Sequence, residues 1–228
     1  MLSFEELKIP KNEVLRYLGY KGQDIDERLN LMIDSTIKEC EDLILPRVIF
    51  SKYNKKSINR GVHIVGSNVV LEGEDIKNHL LFANEVVVMA ITIGINIEKK
   101  INLYEKTSLT KAMILDACAT AAVEEVCDRF EEYIKTQVSK RELGITFRYS
   151  PGYGDLSLDT QKDIINMLDA EKRIGLTVSD HKLLFPRKSV TAIIGLIPKD
   201  KEVKQRGCEV CKNYKNCRFR KEGTICGN

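Results

Sequence analysis

Two stretches of this sequence gather side chains that can do chemistry. The first reads Arg148-Tyr-Ser-Pro-Gly-Tyr-Gly154. Pro151 locks φ, while Gly152 and Gly154 can take dihedrals closed to other residues. A turn built this way presents backbone N–H and C=O groups that can hydrogen-bond an adenine edge. Arg148, expected at the end of a strand, offers a planar fork matched to a carboxylate. Tyr153 adds an aromatic face with a polar tip, suited to a ribose, a base or a sulfonium cation. Taken without further context, the same residues also describe a tight turn whose arginine pairs with a nearby acid.

The second stretch is a tail with the spacing Cys208-x2-Cys211-x5-Cys217-x8-Cys226. Four thiolates so close together in a reducing compartment point to a metal rather than to disulfides. A tetrahedral zinc and a four-iron cluster both suit the ligand set, and unliganded thiols are the alternative. The other three cysteines, Cys40, Cys118 and Cys127, fall within apolar helical patterns, where a thiol behaves as a small core group. His63, His79 and His181 are scattered and read as structural, and neither a Ser-His-Asp nor a Cys-His set is evident.

The elements that must position these groups follow from periodicity. Helices are expected at 12–19, from Asp24 to Pro46, near 75–82, at 95–105, at 109–138 and at 158–168. Strands are expected within 47–71, broken by a polar turn at 54–60, and at 85–93, 145–148, 175–178 and 189–197. The helix over 109–138 is the longest. Its first half is rich in alanine and its second in charge, as suits a spine on which a sheet rests. The irregular order of strands and helices, without βαβ alternation, predicts an α+β fold with a mainly antiparallel sheet and a long central helix. The reading divides the chain into a domain over 1–198 and a short Cys-rich tail over 199–228.

Composition narrows the class further. The 228 residues are 43% hydrophobic and 30% charged, enough apolar side chain for a real core. The longest apolar runs fall far short of the ~20 residues that span a bilayer, and 1–10 carries no apolar signal core. No membrane association is expected, and a cytoplasmic location is the default. The net charge of +3 is uneven, because the tail holds nine basic residues against four acidic ones. Such a segment suits an acidic protein partner better than a nucleic acid, so none of the latter is expected.

The text around the turn resembles the activation domain of cobalamin-dependent methionine synthase, in particular its stand-alone members. Arg148-Tyr-Ser-Pro-Gly-Tyr-Gly-Asp-Leu-Ser-Leu158, Gln161, Leu168, Gly175, Leu176, Pro186-Arg-Lys-Ser-Val190 and Ile193-Ile-Gly195 fall in the family's order. Upstream, Val14-Leu-Arg-Tyr-Leu-Gly-Tyr20, Thr92-Ile-Gly94, Leu115-Asp-Ala117 and Ala121-Ala-Val-Glu124 also resemble it. The similarity spans about 12–197.

The resemblance implies S-adenosylmethionine as the ligand and a methyltransferase-type reactivation of an oxidised cobalamin on a partner. Arg148 would hold the methionyl carboxylate, the backbone around Ser150 and Gly152 would meet the adenine, and Tyr153 would line the pocket. Glu124, with Glu125 as a one-residue alternative, would match the family's acidic ligand. The large synthases carry a tyrosine after the last strand, and 196–201 has none. The implied partner is a corrinoid-bearing methionine synthase or a related corrinoid protein, with a flavodoxin-like or ferredoxin-like reductant. Two other readings are an iron–sulfur electron-transfer or scaffold protein that kept the fold without methyl transfer, and a zinc-stabilised interaction module.

Overall fold

The computed structural model describes residues 7–201; the four tail cysteines expected to ligate a metal lie outside them. Seven helices and eight strands occur in the described chain. In order they are α1 (Lys11–Tyr17), α2 (Glu27–Leu43), β1 (Arg47–Ile58), β2 (Gly61–Ile64), β3 (Val70–Glu72), α3 (Glu74–His79), β4 (Glu85–Thr92) and α4 (Asn96–Thr107). There follow α5 (Leu109–Ser139), β5 (Leu143–Ile145), α6 (Thr160–Leu168), α7 (Ala170–Ile174), β6 (Thr177–Val178), β7 (Leu184–Phe185) and β8 (Ser189–Pro198).

Six strands form one sheet in the order β3-β2-β1-β4-β8-β5, and β6 and β7 make a separate hairpin. The β1–β2, β2–β3 and β5–β8 pairs are antiparallel, with Lys55 opposite Ile64 and Ile145 opposite Leu196. The central strands read as continuous apolar runs because both faces are covered: Val86–Met89 and Ala192–Ile194 are buried throughout. The fold is α+β, mainly antiparallel, with one long helix, as the sequence predicts.

Several elements differ from the sequence reading, among them the unexpected short helix α7, and three differences bear on the site. β1 runs to Ile58 without the break expected at 54–60; its polar second half is held by backbone pairing with β2 down to Ile58 opposite Gly61. The strand expected at 145–148 ends at Ile145, and Tyr149 makes only an isolated bridge to Ile193. Arg148 therefore stands on irregular backbone rather than at a strand end. The strand expected at 175–178 is two residues long, and its partner β7 went unpredicted.

Contacts divide the chain into two units, which β1, β4, α5, α6 and β8 pass between along the sequence. The first comprises Met1–Phe50, Met89–Tyr133 and Gln161–Thr191, where described. In it Asp26 caps α2 by accepting from the Leu29 N–H at 2.7 Å. Ile33, Cys40, Cys118 and Phe130 are fully buried, and Phe50 packs its ring 5.1 Å from that of Phe130. Burial pushes the Cys40 thiol far up and that of Cys118 to about 12, so both are inert core groups.

The second unit comprises Ser51–Val88, Ile134–Thr160 and Ala192–Asn228, where described. It contains the β1–β2 hairpin, β3, α3, β5 and the 148–154 turn. Gly195 is wedged against Leu80, Ala83 and Thr146: an added Cβ would lie 2.9 Å from Leu80 Cδ2. The Gly195 N–H donates to Thr146 Oγ1 at 2.8 Å, which seats the chain leading into the turn against β8.

Candidate functional site

The turn in the second unit starts from a fixed end. Tyr149 exchanges two backbone hydrogen bonds with Ile193, at 2.9 and 3.0 Å. Arg148, immediately before it, is only 3% exposed, an unusual place for a guanidinium. Past Pro151 the chain folds on itself: the Tyr153 N–H donates to Ser150 O at 3.0 Å and the Gly152 N–H to Leu156 O at 2.8 Å. Those two N–H groups are therefore used inside the turn. Gly152 has a φ of +92°, the left-handed region expected for it, and sits under the Leu158 side chain.

Tyr153 is 39% exposed and is the outermost ring of a chain of aromatic contacts. Its ring meets Tyr149 edge-on at 5.8 Å; Tyr149 lies 4.9 Å from His79, and His79 lies 4.4 Å from Phe147. His79 Nε2 is 2.9 Å from the Phe147 carbonyl, so that nitrogen carries the proton and donates. Burial lowers the His79 pKa to about 4 despite that bond, and the imidazole is neutral near pH 7. Burial, and then the charges of Asp75 and Asp155, hold the Tyr149 phenol above its ordinary range, so it stays protonated.

Asp155 closes the turn from the other side. Its carboxylate accepts the N–H of Glu74 at 2.8 Å and that of Asp75 at 3.1 Å, capping α3, whose own N-cap residue is Gly73 and has no side chain to offer. Between turn and helix sits Gly154, where an added Cβ would lie 2.3 Å from both Asp75 Oδ2 and the Tyr149 hydroxyl. Neither Asp155 nor Tyr149 was singled out from sequence. The sequence shows only that Gly73, at the start of α3, has no side chain to cap the helix, and not which residue supplies the cap. A cleft of about 320 Å³ lies beside this cap, lined by Arg60, Glu72, Gly73, Glu74 and Asp155.

Glu124 belongs to the first unit, on α5. It is near enough to Tyr17 of α1 for its charge to raise the phenol's pKa, second to burial. Arg16 stacks 4.2 Å from the Tyr17 ring centroid. Glu125, one residue on, is bound to Arg129 at 2.9 Å as an i, i+4 helix pair. The structure thus separates the two carboxylates by their surroundings. Among the described residues no cluster of three or more His, Cys, Asp or Glu side chains could hold a metal. No described helix is long and apolar enough to cross a membrane.

A family model described as "Vitamin B12 dependent methionine synthase, activation domain" matches residues 76–214, which includes Glu124 and the whole turn. A solved structure described as the MetH reactivation domain bound to AdoHcy is similar in fold, with a TM-score of 0.56 at 15% identity. That likeness covers 94% of this chain and 83% of the other. No curated protein matches the sequence.

Proposed function

The chain belongs to the activation-domain family of vitamin B12 dependent methionine synthase, and on that premise we propose that it binds S-adenosylmethionine at the 148–154 turn and presents the sulfonium methyl to a reduced corrinoid on a partner protein. The observation that carries this reading is the buried Arg148 at the head of a glycine-bearing turn, inside the stretch that the family model covers.

The residues present suit such a ligand. Arg148 offers a bidentate fork for the methionyl carboxylate. The backbone around Ser150 and Gly152 lies against the adenine, and the half-exposed Tyr153 ring covers one face of the pocket. By the family resemblance, Glu124 of α5 is the acidic ligand for the cationic methionyl end, with Glu125 as the one-residue alternative. When bound, the ligand supplies an electrophilic methyl group and the partner's corrinoid a nucleophilic metal. The chain's own contribution is proximity and orientation. No proton needs to move: His79 is buried, neutral and turned to a backbone carbonyl, away from any role as a base.

The partner in this reading is a corrinoid-bearing methionine synthase or a related corrinoid protein in the cytoplasm, reduced by a flavodoxin-like or ferredoxin-like donor. In this reading the domain runs over 1–198, and 199–228 is an appendage whose Cys208, Cys211, Cys217 and Cys226 hold zinc or an iron–sulfur cluster. Metal analysis of the anaerobically purified chain, with and without Cys208→Ser and Cys211→Ser, tests that assignment.

Calorimetric titration with S-adenosylmethionine tests the site. The parent should bind saturably, and Arg148→Ala should weaken binding about 10- to 100-fold, the worth of a charge-assisted hydrogen-bond pair. Arg148→Lys should fall between, because an ammonium keeps the charge but not the fork. Parent-like affinity in a folded Arg148→Ala protein would remove Arg148 from the site.

A further inference from the structure

We propose that Asp155 is a positioning residue for the ligand turn, which it fastens to α3 so that the start of this helix and the turn open and close as one unit. The proposal rests on the reading of 148–154 as the S-adenosylmethionine site, and it names what holds that site in shape.

Three contacts carry it. The Asp155 carboxylate accepts the first two N–H groups of α3, from Glu74 and Asp75, at 2.8 and 3.1 Å. Gly73 leaves room for it: an added Cβ there would lie 2.3 Å from Asp155 Oδ1. On the return side, Gly154 is clasped between the Asp75 carboxylate and the Tyr149 hydroxyl, each 2.3 Å from where its Cβ would be.

A six-residue helix is too short to be stable on its own, so α3 depends on partners. Its far end supplies one, since His79 packs on Tyr149 and donates to Phe147 O. The turn is therefore held at both ends of α3: by the Asp155 cap at the helix start, and by the ring ladder from His79 through Tyr149 to Tyr153 at the helix end. A ligand that needs the turn's backbone in one conformation would lose affinity when either hold is released, although neither Asp155 nor His79 need touch it.

The test pairs ligand affinity with amide hydrogen exchange, using the intact chain. In Asp155→Ala, the amides of Glu74 and Asp75 should exchange faster, and so should those of Gly152 and Tyr153, which bond within the turn rather than to Asp155. Affinity for S-adenosylmethionine should fall about 10-fold. Asp155→Asn, which keeps a carbonyl acceptor for the cap, should restore both to within about 3-fold of the parent. Faster exchange confined to α3, with turn amides and affinity unchanged, would overturn the proposal. If Asp155→Ala does not fold, Gly154→Ala carries the test. Its methyl group meets Asp75 and Tyr149, and it should loosen the turn amides and weaken binding while α3 stays capped; unchanged turn exchange would overturn the coupling. If the parent binds no S-adenosylmethionine, the ligand reading fails, and the exchange comparison alone decides whether the turn and α3 are coupled.

Discussion

Two polar clusters, one in each unit, join distant parts of the chain and are built on different physics. In the first unit Glu39 of α2 receives Tyr104 Oη at 2.6 Å, Lys111 Nζ at 3.0 Å and Lys100 Nζ at 3.1 Å. It is a charged knot on an accessible surface. Burial alone would raise the Glu39 pKa, but the hydrogen bonds from Tyr104, Lys111 and Lys100 outweigh it and bring the value down to about 2. In the second unit His79, Tyr149, Gly154 and Asp155 are held by ring packing, close approach and a helix cap, with the titratable imidazole kept neutral. The first cluster can be loosened by solvent and salt. The second fails when a shape changes. A ligand turn whose backbone must be fixed is better served by the second kind of support.

The largest effect should therefore come from removing shape. Tyr149→Ala deletes a buried ring that touches His79, Phe147 and Tyr153. It should cost about 3–4 kcal/mol by denaturant unfolding and also weaken S-adenosylmethionine binding. A loss under 1 kcal/mol would mean that the ladder is not a structural unit.

Next in size is a pH effect unique to the second cluster. The His79 pKa is depressed from 6.5 to about 4 in the folded chain. Between those values the unfolded chain binds the extra proton, so stability from neutral His79 is complete above pH 6.5 and is lost as pH falls toward 4. The full window is worth on the order of 3 kcal/mol. His79→Phe should flatten that part of the stability–pH curve, and the imidazole's own titration can be followed by NMR. Glu39 acts in a more acidic window. Its depressed pKa gives stability that is present above 4.5 and lost as pH falls toward 2. A parent curve with no slope between pH 6.5 and 4 would refute the neutral, buried imidazole.

How much of this contrast was legible beforehand depends on where each interaction is encoded. The 148–154 turn was visible because Pro151, Gly152 and Gly154 constrain the backbone locally, and β4 and β8 because their apolar runs exceed what a half-exposed strand needs. The second half of β1 was not legible. Asn54-Lys-Lys-Ser-Ile58 is too polar to announce a strand, and Lys55–Ile58 are in one because they pair with β2. The Asp155 cap was missed for a similar reason: Asp155 and Glu74 are 81 residues apart, and nothing near either of them shows that they meet. The Glu39 knot likewise joins α2, α4 and α5 through residues that read singly as solvated helix charges. Local backbone chemistry shows in a sequence; the partners of polar side chains seldom do.

A moderate effect should separate the two clusters by hydroxyl. Tyr104→Phe removes the 2.6 Å bond to Glu39 and the acceptor for Lys111 at 2.7 Å, but keeps the ring that both lysines approach. A loss of about 1 kcal/mol is expected, with S-adenosylmethionine affinity unchanged. Weaker ligand binding in this variant would show that the two clusters are energetically linked, contrary to the contrast drawn between them.

The smallest effect should come from Lys100→Met, and its dependence on salt matters more than its size. Lys100 is one of two ammonium groups facing a single carboxylate, and Lys111 remains to neutralise Glu39 when it is gone. Surface ion pairs also contribute little because both side chains are well hydrated when apart. The variant should therefore unfold close to the parent at moderate ionic strength, with a smaller change than Tyr104→Phe. Whatever difference exists should shrink further as salt shortens the Debye length from about 8 Å to about 3 Å at 1 M. The Tyr149→Ala loss should persist over the same range, because ring packing is not screened. If Lys100→Met instead cost as much as Tyr104→Phe and kept that cost in high salt, the first cluster would be held by desolvated contacts like the second. The two would then differ only in composition, and not in how they support the fold.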